Sequence, residues 1–131
     1  MNSSDKVALM SAIDIKRVDH LPVIAAFCHK LGLIETIDRL VPSEMELSPG
    51  TIVQGMVLDT LSGRSPLYRL ATFFEHQDTE LLLGQPIAAN SFNDTTVGRA
   101  LDAIFDAGAS TIFSNLAFQA LQIFSCDATY L

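Results

Sequence analysis

The sequence is poor in residues that support redox, metal or phosphate chemistry. It has no tryptophan, two cysteines, and only eight Lys and Arg among 131 residues. Cys28 and Cys126 are far apart and lack the spacing of a zinc site, so we expect small, buried, reduced thiols in a cytoplasmic protein. No basic residue follows Arg99, and the net charge is −7. This balance argues against strong autonomous DNA binding, because neutralised phosphates supply most of the affinity of nucleic-acid binders.

Long hydrophobic runs are also absent. The longest, residues 21–28, is far short of the roughly 18–20 residues that cross a bilayer. The N-terminus has no basic segment and no small-residue cleavage site, so we predict no signal peptide and no membrane partner.

Hydrophobic residues are nevertheless abundant. They make up 49% of the chain, whereas charged residues make up 18%, and the mean hydropathy is +0.33. We predict a flexible N-terminus at residues 1–12 and a single domain at 13–131, which suits a chain of this length. The low charge content predicts surplus apolar surface that needs another subunit or a missing domain.

The spacing of apolar residues predicts an all-α fold, with about six helices in one compact bundle. A short strand or extended arm is possible at residues 13–18, where apolar and polar residues roughly alternate. Gly32, Gly63 and Gly108 are predicted to end helices. The predicted helices cover approximately residues 22–31, 33–40, 49–62, 67–76, 94–107 and the segment from about 110, with one further turn at 80–83.

The same periodicity predicts which side chains form the core. We expect Leu101→Ala to cost about 2–5 kcal/mol through lost packing. The predicted inward residues are Val23, Ala26, Phe27, Leu31, Ile52, Val53, Met56, Val57, Leu61, Leu67, Leu70, Ala71, Phe74, Val97, Leu101, Ile104, Phe105, Ile112, Phe113, Leu116, Ala120, Leu121 and Phe124.

Two of the predicted helices begin with the same Ser-Pro dipeptide. Ser48-Pro49 and Ser65-Pro66 each place a capping hydroxyl before a proline, whose missing N–H costs nothing in the first turn. The two helices that follow are separated by a short turn, which fits a generic α-hairpin or a DNA-reading helix-turn-helix. Generic α-hairpins are the commoner of the two.

No catalytic or metal-binding pattern stands out. His20, His29 and His76 lack zinc-ligand spacing, and neither a nucleophile elbow nor a Gly-rich phosphate loop is present. Asp102 and Asp106 lie one helical turn apart and are better explained as a solvated helix face than as a carboxylate pair. We therefore expect no catalytic residue, no bound metal and no cofactor.

The candidate binding residues are basic. Lys16 and Arg17 lie on the possible arm, and Arg64 and Arg69 flank the second Ser-Pro start. A helix N-terminus with nearby arginines can hold a phosphate, so we predict these four residues as DNA contacts. Arg69 and Arg99 could equally bind carboxylates within the chain.

Several segments resemble, in order and spacing, the N-terminal domain of bacterial DDE-type insertion-sequence transposases. The resemblance covers about residues 13–131. The segments are Val18–Ala26, Leu31–Asp38, Ser48-Pro-Gly50, Met56–Leu61, Arg64–Arg69, Phe73-Phe74, Leu82-Leu-Gly84, Phe92-Asn-Asp94 and Gly98–Asp102.

The resemblance implies a helical domain that precedes an RNase H-like core, in which acidic residues hold two Mg²⁺ ions. The first catalytic Asp of that core lies in a His-x-Asp-x-Thr segment. Asp127-Ala-Thr129 could be that segment, but we favour a register in which residues 126–131 are the linker before it. In both registers the second Asp and the Glu have no counterpart, so the chain alone cannot carry out transposition.

The resemblance thus predicts a non-catalytic domain that contributes to transposon-end DNA binding, transposase assembly, or both. Its expected partners are transposon-end DNA and either further copies of itself or full-length transposase, with no small-molecule substrate. The alternative is a protein-interaction module without DNA binding, either a homodimer or a truncated relic that inhibits full-length transposase by pairing with it.

Overall fold

The structure, a computed structural model, describes residues 20–62 and 70–123, and these are helical throughout apart from short connections. Helix α1 covers residues 20–31. The other helices are α2 (Leu33–Leu40), α3 (Pro49–Leu61), α4 (Leu70–Phe74), α5 (Thr79–Leu83), α6 (Asp94–Ala107) and α7 (Ala109–Ile123), with a 3₁₀ turn at Ala89–Phe92.

The predicted all-α fold class is confirmed. The described ranges hold seven α-helices instead of about six, because the predicted turn at 80–83 is the separate helix α5. The possible arm at 13–18, the N-terminus at 1–12 and the Ser65-Pro66 start lie outside the described residues.

Local hydrogen bonds explain where the helices begin. The Ser48 hydroxyl accepts a hydrogen bond of 3.2 Å from the Thr51 N–H, and Pro49 occupies the first turn of α3. The Asn93 carboxamide oxygen accepts one of 3.0 Å from the Thr96 N–H at the start of α6. Both interactions satisfy N–H groups that have no partner within the helix. The Ser48 cap is the one predicted from the sequence, and it is confirmed.

One hydrophobic cluster surrounds α3. Ile52 and Leu58 are fully buried, and the Phe74 ring stacks on the Phe92 ring with centroids 4.3 Å apart. This part of the core draws on α1, α3, α4, α5, the 3₁₀ turn and α6. Its buried members are Leu21, Ala25, Leu47, Ile52, Leu58, Leu70, Phe73, Phe74, Leu82, Leu83, Phe92 and Ala100.

A second cluster joins α2 to the two last helices. It contains Ile37 and Val41 from the end of α2, Ile104 from α6, and Ile112 and Leu116 from α7, together with Cys28 and Leu33. Ile24 of α1 packs against both clusters and links them. The hydroxyl of buried Thr36 donates a hydrogen bond of 2.7 Å to the Gln119 carboxamide oxygen, which fixes α7 against α2.

A buried amide connects α1, α3 and α5. Gln54 is fully buried, and its Nε2 donates a hydrogen bond of 2.9 Å to the Leu82 carbonyl oxygen. The same nitrogen lies 3.0 Å from His29 Nε2. Because the amide nitrogen only donates, Nε2 of His29 is the acceptor of this hydrogen bond.

Most helices are placed as expected, although α4 ends at Phe74 and not at residue 76. Several of them bury a different face from the one predicted. In α1, Val23, Ala26 and Phe27 were predicted to be inward, yet all three are exposed. The buried positions are Leu21, Ala25 and Cys28. Both sets have helical spacing, so periodicity alone could not choose between two apolar stripes on one helix.

The last two helices show the same effect. In α6, Ile104 is buried as predicted and Ala100 is fully buried, but Leu101 and Phe105 are exposed. In α7, Ile112 and Leu116 are buried as predicted. Phe113 and Leu121 are exposed, which corrects the inward placement expected for them. Leu61 at the end of α3 is likewise half exposed.

Candidate interaction surface

The predicted DNA contacts Lys16, Arg17, Arg64 and Arg69 lie outside the described residues, and they remain predictions. The basic residues within the described ranges are Lys30, Arg39 and Arg99, which lie on three different helices. Eleven of the fifteen Asp and Glu also fall in these ranges. This part of the surface is therefore acidic and does not attract a phosphate backbone.

The titratable side chains of the described chain do not form a reactive cluster. Asp102 and Asp106 are both exposed, which confirms the predicted solvated face of α6. His20, His29 and His76 are also exposed. Within residues 20–62 and 70–123 no three His, Cys, Asp or Glu side chains are grouped so that they could hold a metal ion.

Cys28 is shielded on α1. It is 8% exposed, and burial raises the pKa of its thiol because the charged thiolate is poorly solvated there. The thiolate is the reactive form of cysteine, so this environment suits a structural side chain. The sequence predicted a buried thiol at this position, and the structure confirms it.

A shallow groove of about 660 Å³ lies between the α2–α3 connection and the α5–α6 connection. Polar side chains line much of it, including Gln85, Asn90 and Asn93. Arg99 and Glu46 bring one charge of each sign, so the groove has no strong preference for an anion or a cation. Its residues lack a nucleophile paired with a base.

The most unusual surface belongs to α7. Residues 107–126 contain no Asp, Glu, Lys or Arg. Within this uncharged stretch, Phe113, Phe118 and Leu121 are 60%, 62% and 64% exposed. They lie away from Ile112 and Leu116, which face the second cluster. A large apolar surface on an uncharged helix is typical of a protein interface.

Other helices also expose apolar side chains. Phe105 of α6 is the most exposed of them at 80%, and Leu101 on the same helix is 45% exposed. Val23 and Phe27 project from α1. The sequence had assigned all four to the core. The signal that points to exposure is the low charge content, which leaves too few polar side chains to cover the surface.

Within residues 20–62 and 70–123 no helix combines the length and the apolarity needed to cross a membrane. The exposed apolar side chains of α7 make this side of the helix the candidate interaction surface.

Comparison with known proteins yields one match. A family model described as a domain of unknown function, DUF4277, matches residues 13–118. No curated protein and no solved structure matches the chain. Because the match covers most of the chain, this chain belongs to the DUF4277 family. The matched range includes α1 to α6 and the first part of α7.

Proposed function

We propose that this chain is the non-catalytic N-terminal helical domain of an insertion-sequence transposase, and that it acts in transposase assembly and contributes to transposon-end DNA binding. The transposase assignment is supported by the resemblance over residues 13–131 and is compatible with the all-helical fold. The observation that carries the assembly role is the exposed apolar face of the uncharged helix α7.

Assembly is the role that the described surface favours. Burying a large apolar side chain such as Phe118 or Leu121 is worth about 1.5–3 kcal/mol relative to leaving it in water. Several such side chains on one helix can contribute favourably to association, and a charged partner surface is not required. An obligate interface has this apolar character.

DNA contact needs a different part of the molecule. Because the described surface is acidic, we assign the phosphate contacts to Lys16, Arg17, Arg64 and Arg69, which lie outside the described residues. Arg64 and Arg69 lie between α3 and α4, next to the Ser65-Pro66 start. Four cationic side chains imply weak affinity with a modest salt dependence, since each neutralised phosphate changes the slope of log K against log salt by about 0.9.

The test is fluorescence anisotropy of the purified chain against the terminal repeat of its parent element and a scrambled duplex, across a salt series. We expect selective binding that weakens with salt and that is reduced in the double variant Arg64→Ala, Arg69→Ala. Arg39→Ala is the matched control, since Arg39 is an exposed arginine on α2 outside the proposed contacts. An equal loss of DNA affinity in the Arg39 variant and the double variant would contradict the assignment of Arg64 and Arg69 as DNA contacts.

The apolar face of α7 also favours a second candidate function. The chain would then be a protein-interaction module that pairs with itself or with full-length transposase and has no affinity for DNA. Absence of anisotropy change at micromolar protein, together with salt-insensitive self-association, would identify this alternative. The DNA contacts of the transposase would then lie in its other domain.

A further inference from the structure

We propose that protonation of His29 releases the end of α1 from the buried amide of Gln54 on α3, so that the fold contains an acid-sensitive contact. The contact joins Gln54 Nε2 to His29 Nε2, which lie 3.0 Å apart. It lies within this chain, so its response to acid does not depend on the proposed transposase role.

The Leu82 carbonyl fixes the orientation of the Gln54 amide. A carbonyl oxygen only accepts hydrogen bonds, and this one lies 2.9 Å from Gln54 Nε2. Turning the amide over would place Gln54 Oε1 against the Leu82 oxygen, so that two acceptors would face each other. Gln54 Nε2 is therefore the atom that also faces His29, and it offers the ring its second N–H.

This arrangement requires a neutral His29 ring. An imidazole that accepts through Nε2 has a lone pair there, whereas the protonated ring carries an N–H on both nitrogens. Protonation would therefore point two N–H donors at each other across 3.0 Å. The His29 side chain is exposed and can turn into solvent, whereas Gln54 is fully buried. The ring is thus the group that moves.

The described carboxylates do not hold the protonated ring against Gln54. Within the described residues the polar partner of the His29 ring is Gln54, and the ring forms no ion pair with an Asp or Glu. The charged or titratable residues on α1 and on the helices that share its clusters are His20, Cys28 and Lys30 on α1, Glu35, Asp38 and Arg39 on α2, Asp59 on α3, Asp78 and Glu80 at α5, and Asp94, Arg99, Asp102 and Asp106 on α6.

Loss of the His29 contact leaves a buried amide poorly paired. Gln54 Oε1 has no hydrogen-bond partner among the described residues even while the contact is present. Once His29 turns away, one N–H of Gln54 is unpaired as well, and a buried polar group without a partner is unfavourable. Water satisfies such groups when it can reach them. Because His29 lies in the last turn of α1, we expect this end of the helix to loosen and admit water to the amide.

The experiment follows the side-chain amide signals of Gln54 in the full chain by NMR from about pH 8 to about pH 5, the range in which histidines titrate. The ring signals of His29 report its protonation in the same samples. We expect the Gln54 signals to shift in step with protonation of His29. The protection of the last-turn amides of α1 from hydrogen exchange, corrected for intrinsic exchange rates, should fall severalfold in the protonated state.

Two variants and one internal reference separate His29 from the other titrating groups. His29→Gln keeps an acceptor oxygen but cannot be protonated in this range, so the Gln54 signals and the protection of α1 should no longer respond to acid. His76→Gln is the matched control, since His76 is an exposed histidine beyond the end of α4, and it should retain the full response. The side-chain amide of Gln119, which accepts a hydrogen bond from Thr36, should not follow His29.

The possible results decide for or against the contact. Gln54 signals that stay constant while His29 becomes protonated overturn the proposal, and so does an unchanged response to acid in the His29→Gln variant. Gln54→Met is a second test, because it removes the amide and keeps an unbranched side chain. In this variant the protection of α1 should no longer depend on protonation of His29, and a retained dependence would contradict the role of the amide.

Discussion

Asp38 of α2 binds the first turn of α3 through Gly50: the Gly50 N–H donates a hydrogen bond of 2.8 Å to Asp38 Oδ1. A Cβ at position 50 would lie 2.5 Å from the Ile34 carbonyl oxygen and 2.7 Å from Asp38 Oδ1. The Ile34 oxygen belongs to the backbone of α2 and cannot move aside without moving the helix. Each residue of Ser48-Pro49-Gly50 therefore has a structural role. Ser48 caps α3, Pro49 occupies its first turn, and Gly50 allows the close approach of α2.

We predict that Gly50→Ala lowers the free energy of unfolding by about 1–3 kcal/mol or more, because the added methyl group forces α2 and α3 apart. Urea denaturation followed by circular dichroism measures the change. Gly98→Ala is the matched control, since a Cβ at this position in α6 meets no atom within 4 Å. It should raise stability by about 0.5–1 kcal/mol, because alanine favours a helix interior. Equal stability of the Gly50→Ala and unaltered chains would show that the two helices are further apart than described.

Asp38→Ala should destabilise the fold by about 1.5–3 kcal/mol, since it removes a charged acceptor from a backbone N–H at a helix start. Asp38→Asn keeps an acceptor oxygen at the same position, so it should lower the free energy of unfolding by a smaller amount. The comparison is Asp102→Ala on the exposed face of α6, which we expect to change stability by less than about 0.5 kcal/mol. The same denaturation assay applies. A similar loss in the Asp38 and Asp102 variants would rule out a specific contact with Gly50.

Ile104→Ala and Leu101→Ala should differ although both lie on α6. Ile104 is 9% exposed and belongs to the second cluster, so its truncation should cost about 2–5 kcal/mol. Leu101 is 45% exposed, so its truncation should cost less than about 1 kcal/mol, in contrast to the larger loss expected from periodicity. The melting curves of the two variants decide between these orientations of α6. A larger loss for Leu101→Ala would restore the inward placement.

Cys28 should react slowly with a thiol reagent in the folded chain, because burial raises its pKa and disfavours the thiolate. The rate is measured in a Cys126→Ser background, with and without urea, and should rise sharply on unfolding. Equal rates in both conditions would contradict the burial of this side chain.

The same pKa shift has a consequence for stability. The folded-state pKa lies above the unfolded one, so the contribution of Cys28 is complete below the ordinary thiol range and is lost as the pH rises through the folded-state value. The urea midpoint should therefore fall at alkaline pH. Cys28→Ala should show a smaller fall, which separates the thiol from the other groups that titrate there.

The sequence by itself determined most of the helices and several of their ends. The Ser48 cap, Pro49 in the first turn, and Gly32 with φ of +73° act within a few residues, so local chemistry suffices to place them. The all-α class follows from the same signals. The candidate contacts Lys16, Arg17, Arg64 and Arg69 were also chosen from sequence, and they fall outside the described residues.

Only the tertiary structure decided which apolar stripes are buried. Helices α1, α6 and α7 carry apolar residues on more than one side, and periodicity cannot rank two stripes that both have helical spacing. Which stripe of a helix is buried depends on which other helices pack against it in the folded chain. Gln54 is polar but fully buried, because its side chain donates a hydrogen bond to the distant Leu82 carbonyl oxygen. Ala100 is small but fully buried, because it packs in the first cluster. Phe113, Phe118 and Leu121 of α7 are exposed for the same reason: Ile112 and Leu116 pack in the second cluster, and the neighbouring apolar side chains of the helix remain uncovered by the described residues.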